Sequence, residues 1–336
     1  MATSARFGHL RALTDARGVF EHALLDIPRR EHGYCVDDVA RALIVVVRDP
    51  DHDDLRQLSE IYLSFLESAL GADGLTHNRM NEYGEWTDQP GMGDWWGRLI
   101  WALGTAAARA PWASVRARSL DAFHRAAQQH SSHLRTVAYA ALGAGEVASI
   151  RPHDEAAERL LRALVLAVPA RAENGWAWPE ARLSYGNASI ADALITAGAA
   201  LRDRAAMDRG LELLGFLLEG ETSGDRLSVT GVGGRADGEV GPFFDQQPIE
   251  VAALVDACAH AYEQTSDVRW HRGIDLGWQW FLGDNDSGIP MVDAATGAGF
   301  DGLERGGRNE NRGAESTLAA LSTYQQAHRL GVGSRA

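Results

Sequence analysis

The sequence predicts an all-α fold in which six helical hairpins close into a toroid, an (α/α)6 arrangement, with short β-hairpins in its loops. One observation is a segment that recurs six times, in which polar residues precede a helix of mostly Ala, Leu, Ile and Val. Another is that amphipathic helices alternate with these copies, since apolar residues recur there at i, i+3, i+4 and i+7. This alternation indicates an inner ring of buried helices inside an outer ring.

The apolar copies are expected to form the inner ring, because a helix that is apolar nearly all round must be buried on most sides. They begin near Asp37, Asp94, Leu134, Asn187, Gln246 and Asn311. Their spacing is irregular, which disfavours an open solenoid but is compatible with one repeated unit.

The amphipathic copies are expected to form the outer ring. They are predicted over Leu55 to Leu70, Ala117 to Gln128, Glu155 to Val168, Ala205 to Leu218 and Trp270 to Phe281. The segment before Asp37 has only a weak outer helix, so the sixth partner is expected to be short or to come from the C-terminal tail. No linker divides the chain, and we predict a single domain over residues 1–336 with an ordered core at about 7–328.

Gly-rich, aromatic loops with hairpin signals precede four of the inner helices. They run from Gly74 to Pro90, Gly175 to Tyr185, Asp225 to Phe244 and Gly288 to Arg312. Each leads into the N-terminus of an inner helix, where unpaired N–H groups and the positive end of the dipole lie. We therefore expect one polar mouth at this end of the toroid.

Composition excludes several classes of function. A net charge of −14 disfavours nucleic acid and membranes as partners. The absence of Lys excludes a Walker loop, a Schiff-base lysine and attachment of pyridoxal phosphate. Cys35 and Cys258 cannot supply a structural zinc site by themselves, and no His spacing predicts a metal site, so no metal or other cofactor is expected. No signal peptide or apolar span is evident, which favours a cytoplasmic location.

The first inner helix begins with two adjacent carboxylates, Asp37 and Asp38, shortly after His32 and Tyr34. Helix capping and the helix dipole explain one carboxylate of the pair. They do not call for the neighbouring His and Tyr, so Asp38 is a catalytic candidate.

At the second inner helix, Asp94 precedes Trp95, Trp96 and Arg98. A helix cap and two core tryptophans would also explain this pattern. Adjacent side chains diverge by about 100° on a helix, so at least one tryptophan is expected to face the mouth.

The alternation of Trp176 and Trp178 predicts a strand with both rings on one side, suited to the C–H faces of a sugar. Packing of this loop against the barrel is the alternative. The loop continues through Tyr185 to Asn187, at the start of the fourth inner helix.

The last two inner helices carry amides at the mouth and one Glu each. Gln246 and Gln247 precede Glu250, and Asn311 precedes Glu315. A Glu buried in a ring of helices is costly unless it is paired or functional. A buried salt bridge from Glu315 to Arg41 or Arg98 is the alternative to a catalytic role.

Several ordered motifs resemble a little-characterised helical family. They are HGYCVDDVARAL, HNRMNEYGEWTD with GDWWGRLIWALG, WAWPEARLSYGNASIADALI, FDQQPIEVAAL and NRGAESTLAALS, and they span about residues 7–328. Members of that family occur alone or as the C-terminal part of bacterial glycosyltransferase-like chains, often near genes for β-mannoside phosphorylases. The layout is more distantly similar to the six-hairpin glycosidase superfamily. The resemblance implies an (α/α)6 barrel, an oligosaccharide or glycoside substrate, and a glycosyltransferase or phosphorylase of the same pathway as a candidate partner.

An inverting glycoside hydrolase is the first functional hypothesis. Such an enzyme needs a carboxylic acid for the leaving oxygen and a carboxylate that activates water. Asp38, Asp94 and Glu315 are the predicted catalytic residues, with Glu180 and Glu250 in reserve. Glu315, which has the least polar local sequence, is the predicted acid, and Asp38 or Asp94 the base. The residues predicted to bind substrate are His32, Tyr34, Asp37, Asn78, Trp95, Trp96, Arg98, Trp176, Trp178, Tyr185, Asn187, Gln246, Gln247, Glu250 and Asn311.

Two other hypotheses remain open. A sugar epimerase or isomerase would use His as base, for which His32 or His77 is the candidate. A non-catalytic carbohydrate-binding domain of a glycosyltransferase system would keep the Trp and amide residues without needing several carboxylates.

Overall fold

A computed structural model describes residues 6–49, 54–169 and 176–332. Twelve α-helices occur in these residues: α1 (Gly8–Ala12), α2 (Val36–Arg48), α3 (Arg56–Ala69), α4 (Asp94–Arg109), α5 (Ala113–Ala126), α6 (Leu134–Ile150), α7 (Glu155–Ala167), α8 (Asn187–Leu201), α9 (Arg204–Gly220), α10 (Pro248–Thr265), α11 (Val268–Leu282) and α12 (Ala314–Arg329). No described helix is both long and apolar enough to cross a membrane.

The even-numbered helices form a closed inner ring. Each of α2, α4, α6, α8, α10 and α12 packs against the next, and α12 packs against α2. Most residues of these helices are buried, as helices enclosed on nearly all sides require. The prediction of an (α/α)6 toroid is confirmed, and the six inner helices begin within three residues of the expected positions.

The inner ring is tight because glycines let backbones approach one another. A Cβ on Gly104 of α4 would lie 2.2 Å from the carbonyl oxygen of Gly143 of α6. A Cβ on Gly143 would lie 2.2 Å from the carbonyl oxygen of Ile100. No other residue type fits at this crossing without moving the helices apart.

The outer ring consists of α3, α5, α7, α9 and α11. Each of them packs against one or both of the inner helices that flank it in the chain. The sixth outer position is taken by the five-residue helix α1, which packs against α12. Of the two origins expected for this partner, the short N-terminal segment is therefore the one that the structure contains.

In the part of the chain that the structure describes, ten short strands lie in the loops: β1 (Ala23–Leu24), β2 (Ile27–Pro28), β3 (Tyr34–Cys35), β4 (Arg79–Met80), β5 (Arg182–Leu183), β6 (Thr222–Ser223), β7 (Arg226–Leu227), β8 (Arg235–Ala236), β9 (Gly302–Glu304) and β10 (Gly307–Asn309). Three antiparallel pairs are local hairpins: β1 with β2, β6 with β7 and β9 with β10. The antiparallel pairs β3–β4 and β5–β8 instead join loops of different helical hairpins. The strand predicted at Trp176 and Trp178 is wrong, because neither residue is in a strand. Gly175, where that loop was expected to begin, lies outside the described residues.

Candidate active site

A cavity of about 470 Å³ opens where the inner helices begin. Its walls come from the first turns of α2, α4 and α12, from the loop before α10, and from loops near residues 21, 79 and 301. The lining residues are Glu21, His22, Cys35, Asp37, Asp38, Arg41, Arg79, Asp94, Arg98, Gln247, Asp301, Asn309, Gly313, Glu315 and Ser316. The cavity, called the mouth cavity below, thus brings together Asp38, Asp94 and Glu315, with Asp37, Arg98 and Gln247 of the predicted binding residues.

Acidic groups outnumber basic ones in the mouth cavity. Its carboxylates are Glu21, Asp37, Asp38, Asp94, Asp301 and Glu315, and its guanidinium groups are Arg41, Arg79 and Arg98. An excess of negative charge in a concave site makes the electrostatic potential there negative, and a negative potential repels anionic ligands. The cavity is therefore better suited to neutral or cationic ligands than to anionic ones.

Arg41, which was considered only as an alternative partner for Glu315, joins two of the candidate carboxylates. Its Nη1 donates to Asp38 Oδ1, and its Nη2 lies 2.8 Å from Glu315 Oε2. The guanidinium is buried one turn into α2, so a single planar group holds the start of α2 against the start of α12.

Asp38 is the most enclosed carboxylate of the cavity, with 3% of its surface exposed. The Cys35 thiol donates to its Oδ2 over 3.2 Å. Burial raises the pKa of Asp38 to about 7, with Arg41 opposing the shift and Glu315 and Glu21 adding to it. A carboxyl group with this pKa carries a proton part of the time at neutral pH.

Glu315 does not have the apolar setting that its neighbours in the sequence suggested. Its side chain is 43% exposed and pairs with Arg41, so the expectation of a desolvated acid is wrong. The small residues around it face the helix ring, where Ala314 and Leu318 are buried, while Glu315 points into the mouth cavity.

Neither Asp37 nor Asp38 caps α2. The cap residue is Cys35, which makes no side-chain cap bond. Asn78 of the neighbouring loop accepts from the Val36 N–H instead, at 3.2 Å through Oδ1 and 3.0 Å through its backbone oxygen. Asn78 therefore holds the helix start rather than lining the cavity. Asp37 pairs with Arg98, with 3.1 Å between Asp37 Oδ1 and Arg98 Nε.

Asp94 is the first residue of α4 and makes no cap bond. Thr136 and Tyr185 donate hydroxyl hydrogen bonds of 2.8 Å to its two carboxylate oxygens. Tyr185 is 52% exposed, so its ring stands at the rim of the mouth. Among the described residues, hydrogen bonds from neutral groups hold Asp94 in place, and no counter-charge pairs with it.

Asp301 was missed by sequence reasoning. It lies in the loop before β9, and its Oδ1 accepts from the Gly313 N–H at 2.7 Å and from the Ser316 hydroxyl at 2.5 Å. A single loop carboxylate has no helical periodicity to mark it. The signal available was its place in the Gly288–Arg312 loop, which was expected at the mouth.

Glu250 is buried beside the mouth cavity rather than in its wall. It accepts from the backbone N–H groups of Gly186 at 2.6 Å and Asn187 at 3.4 Å, at the start of α8. Burial raises its pKa to about 7. Asn187 is also buried, and its Oδ1 accepts from the Ser184 N–H. Both residues fix the loop rather than reach a ligand.

Four aromatic residues predicted to contact substrate belong to the core, so their predicted role is wrong. Trp178 is 1% exposed, and Trp176 is also buried, with both rings packed near Phe216. Trp96 is fully buried and donates to the Gly74 carbonyl, and Tyr34 is fully buried with its hydroxyl on Asp15. Burying a large apolar ring in the barrel core is more favourable in free energy than leaving it exposed in the mouth.

Three other predicted contacts are structural. Gln246 is buried between the Trp280 indole and Asp286. Asn311 accepts from the Leu25 N–H and so holds the β1–β2 hairpin, and Trp95 donates to the Thr76 carbonyl.

The two histidines considered as bases are not in the cavity wall. His32 is exposed and packs edge-on against His22 at 5.1 Å between ring centroids. His77 stacks on Trp86. His22, which was not predicted, is the histidine that lines the mouth cavity.

Glu21, Cys35 and Asp38 are, within the described ranges, the one trio of potential metal ligands whose ligand atoms lie within 4.8 Å of one another. Arg79 and Arg41 already pair with the two carboxylates, and burial raises the pKa of the Cys35 thiol. The positive charge of these two guanidinium groups, so close to the trio, opposes the binding of a metal cation. The trio is better described as a hydrogen-bonded charge network than as a metal site.

The fold is similar to solved structures at low sequence identity. A sugar epimerase from a ruminal bacterium superposes with a TM-score of 0.69 at 11% identity, over 97% of this chain and 95% of the epimerase. A C. cellulolyticum cellulase in complex with cellobiose gives 0.65 at 9% identity, over 93% and 88%. A Salegentibacter α-1,6-mannanase in complex with α-1,6-mannotriose gives 0.66 at 11% identity, over 97% and 98%.

No protein-family model matches the chain, and no curated protein matches its sequence. Identities this low establish the fold and not the activity. The chain is therefore an (α/α)6 toroid that shares its fold with these solved structures, as the layout of its sequence motifs suggested.

Proposed function

We propose that this protein is a carbohydrate-active enzyme, an inverting glycoside hydrolase that acts through carboxylates of the mouth cavity. The observation that carries the proposal is Asp38, a buried carboxyl group with a pKa raised to about 7, in a cavity lined by five other carboxylates. Inverting hydrolysis needs this combination, because one carboxyl must be protonated while another activates water.

Asp38 is the proposed general acid, in place of Glu315. A general acid works best when its pKa lies near the operating pH, and Asp38 meets that condition. Glu315 has the proposed role of holding Arg41, which in turn orients Asp38. Asp94, with Tyr185 at the rim, is proposed to contact the substrate.

The similar structures support a carbohydrate as the substrate. The cellulase was solved with cellobiose and the mannanase with α-1,6-mannotriose, both neutral oligosaccharides. The mannanase is described as inactive when two of its aspartates at consecutive positions are changed to asparagine. Asp37 and Asp38 are consecutive aspartates in the mouth cavity of this chain.

The test is turnover of a panel of neutral manno- and gluco-oligosaccharides, with the anomer of the first product read by NMR. Changing Asp38→Asn is expected to lower kcat by at least about 10²-fold, the low end for a general acid. Asp208→Asn, an exposed aspartate on the outer helix α9, is the matched control and should keep wild-type turnover. Equal activity of Asp38→Asn and wild type would remove Asp38 from the mechanism.

The pH profile gives a separate prediction. Since Asp38 acts as an acid, kcat should fall as pH rises through about 7, where the group loses its proton. A profile that instead rises through this range would contradict the assignment. Sugar binding by wild type without turnover across the panel would favour the non-catalytic binding domain.

A sugar epimerase or isomerase is the second candidate, favoured by His22 in the wall of the mouth cavity. Such chemistry removes a proton next to a carbonyl, so the product would take up deuterium at that carbon in D₂O. Hydrolysis leaves carbon-bound hydrogens in place, and mass spectrometry of the product separates the two reactions.

A further inference from the structure

The mouth carboxylates differ in whether a counter-charge accompanies them. Glu21 pairs with Arg79, Asp37 with Arg98, and Asp38 and Glu315 with Arg41. A guanidinium group donates to the oxygens of its partner, and an oxygen so engaged is less free to accept a proton from a ligand. Within residues 6–49, 54–169 and 176–332, Asp94 and Asp301 are the cavity carboxylates without an ion pair.

Asp94 and Asp301 differ in the use of their oxygens. Both oxygens of Asp94 accept hydroxyl hydrogen bonds, one from Thr136 and one from Tyr185. Asp301 concentrates its bonds on Oδ1, and its Oδ2 has no protein donor in the described part of the chain. That oxygen is the one best placed to accept a proton from a water molecule or a sugar hydroxyl.

Asp301 is also held firmly. Its own N–H donates to the Asn311 carbonyl at 2.9 Å. A Cβ on Gly313 would lie 3.2 Å from Asp301 Oδ1, so a side chain at position 313 would crowd the carboxylate. The other donor to Oδ1, Ser316, follows Glu315, which contacts Arg41 and through it Asp38. Asp38 and Asp301 both line the mouth cavity.

We infer that Asp301 is the general base that activates water in the hydrolysis proposed above, on which this inference rests. The water oxygen attacks the anomeric carbon and its proton passes to Asp301 Oδ2. The bond from the anomeric carbon to the leaving oxygen breaks, and Asp38 gives that oxygen its proton. Water and glycoside become a free sugar and an alcohol, and exchange with solvent restores both carboxyl groups.

The experiment compares Asp301→Asn with Asp38→Asn on two substrates, a natural oligosaccharide and its aryl glycoside with a good leaving group. An Asn at 301 can still accept from Gly313 and Ser316, so circular dichroism and oligosaccharide binding should match wild type. Asp301→Asn should lose at least about 10²-fold in kcat on both substrates, because water activation is needed for each. Asp38→Asn should recover on the aryl glycoside, whose leaving group needs no proton.

Azide supplies the decisive readout, since it is a nucleophile that needs no base. It should restore turnover to Asp301→Asn with formation of a glycosyl azide, and should not restore Asp94→Asn. Asp284→Asn, an exposed aspartate outside the cavity, is the control. Wild-type-like activity of Asp301→Asn, or azide rescue of Asp94→Asn instead, would overturn the inference and leave the hydrolase standing. An inactive wild type would overturn the proposed function and this inference together.

Discussion

Two carboxyl groups of this protein, Asp38 and Glu250, are buried near the starts of inner helices, and burial raises the pKa of each to about 7. Their surroundings differ, and so do the roles that we propose for them. Asp38 lines the mouth cavity, whereas Glu250 binds the backbone N–H groups of Gly186 and Asn187 and has no place in the cavity wall. The same desolvation thus suits one group to the proposed role of general acid and makes the other a pH-sensitive structural anchor.

Glu250 should make the stability of the protein depend on pH. Its pKa is raised from an ordinary value of 4.5 to about 7 on folding, so the folded state binds more protons than the unfolded state between these values. The free energy of unfolding therefore loses a contribution as pH rises through this window. Within this window, the free energy of unfolding of Glu250→Gln should rise relative to that of wild type by about 1.4 kcal/mol for each pH unit.

The measurement is urea unfolding of wild type and Glu250→Gln at pH 5, 6 and 7. Asp38 titrates in both proteins and cancels in their difference. Glu304→Gln, which removes a carboxylate from an exposed position in β9, is the matched control. A pH-independent difference between Glu250→Gln and wild type would contradict the shifted pKa.

The inner helices are rich in Ala and Gly because each contacts two inner neighbours and outer helices as well. The crossing of α4 and α6 is an example, with Gly104 and Gly143 in backbone contact. Close crossings of this kind keep the ring narrow, so that residues from different inner helices reach one cavity. Sequence spacing alone does not reveal which glycines meet.

Changing Gly104→Ala should therefore destabilise the protein by about 1–3 kcal/mol or more, as overpacking of a filled core does. Its new Cβ would lie 2.2 Å from the Gly143 carbonyl oxygen, which is backbone and cannot rotate away. Gly306→Ala is the matched control, because a Cβ there meets nothing within 4 Å. Equal urea midpoints for the two variants would show that α4 and α6 are not in the contact described.

Across the whole molecule, the charge is negative and the mouth cavity is more acidic than basic. The N-termini of the inner helices supply a compensating positive potential at the same face. Six carboxylates at one mouth are tolerable because of these helix ends and the three guanidinium groups. We therefore expect the mouth cavity to have little affinity for ligands that carry further negative charge.

Neutral oligosaccharides should accordingly bind more tightly than oligouronides of the same length, by at least about 10-fold at low salt. Raising the ionic strength should narrow the gap, because salt screens the repulsion of the uronate groups. Isothermal titration calorimetry at two salt concentrations measures both effects. Tighter binding of the oligouronide at low salt would contradict the charge argument.

The sequence by itself determined the helices, their alternation and the end at which the polar loops gather, because helical periodicity and chain polarity are local properties. It also placed Asp38, Asp94 and Glu315 at helix starts, from which their common cavity followed. Only the tertiary structure decided which side chains face that cavity. Trp176 and Trp178 turn into the core, Glu315 meets Arg41, and the loop residue Asp301 joins the site. Burial and ion pairing depend on neighbours distant in the chain, and those contacts exist only once the ring has closed.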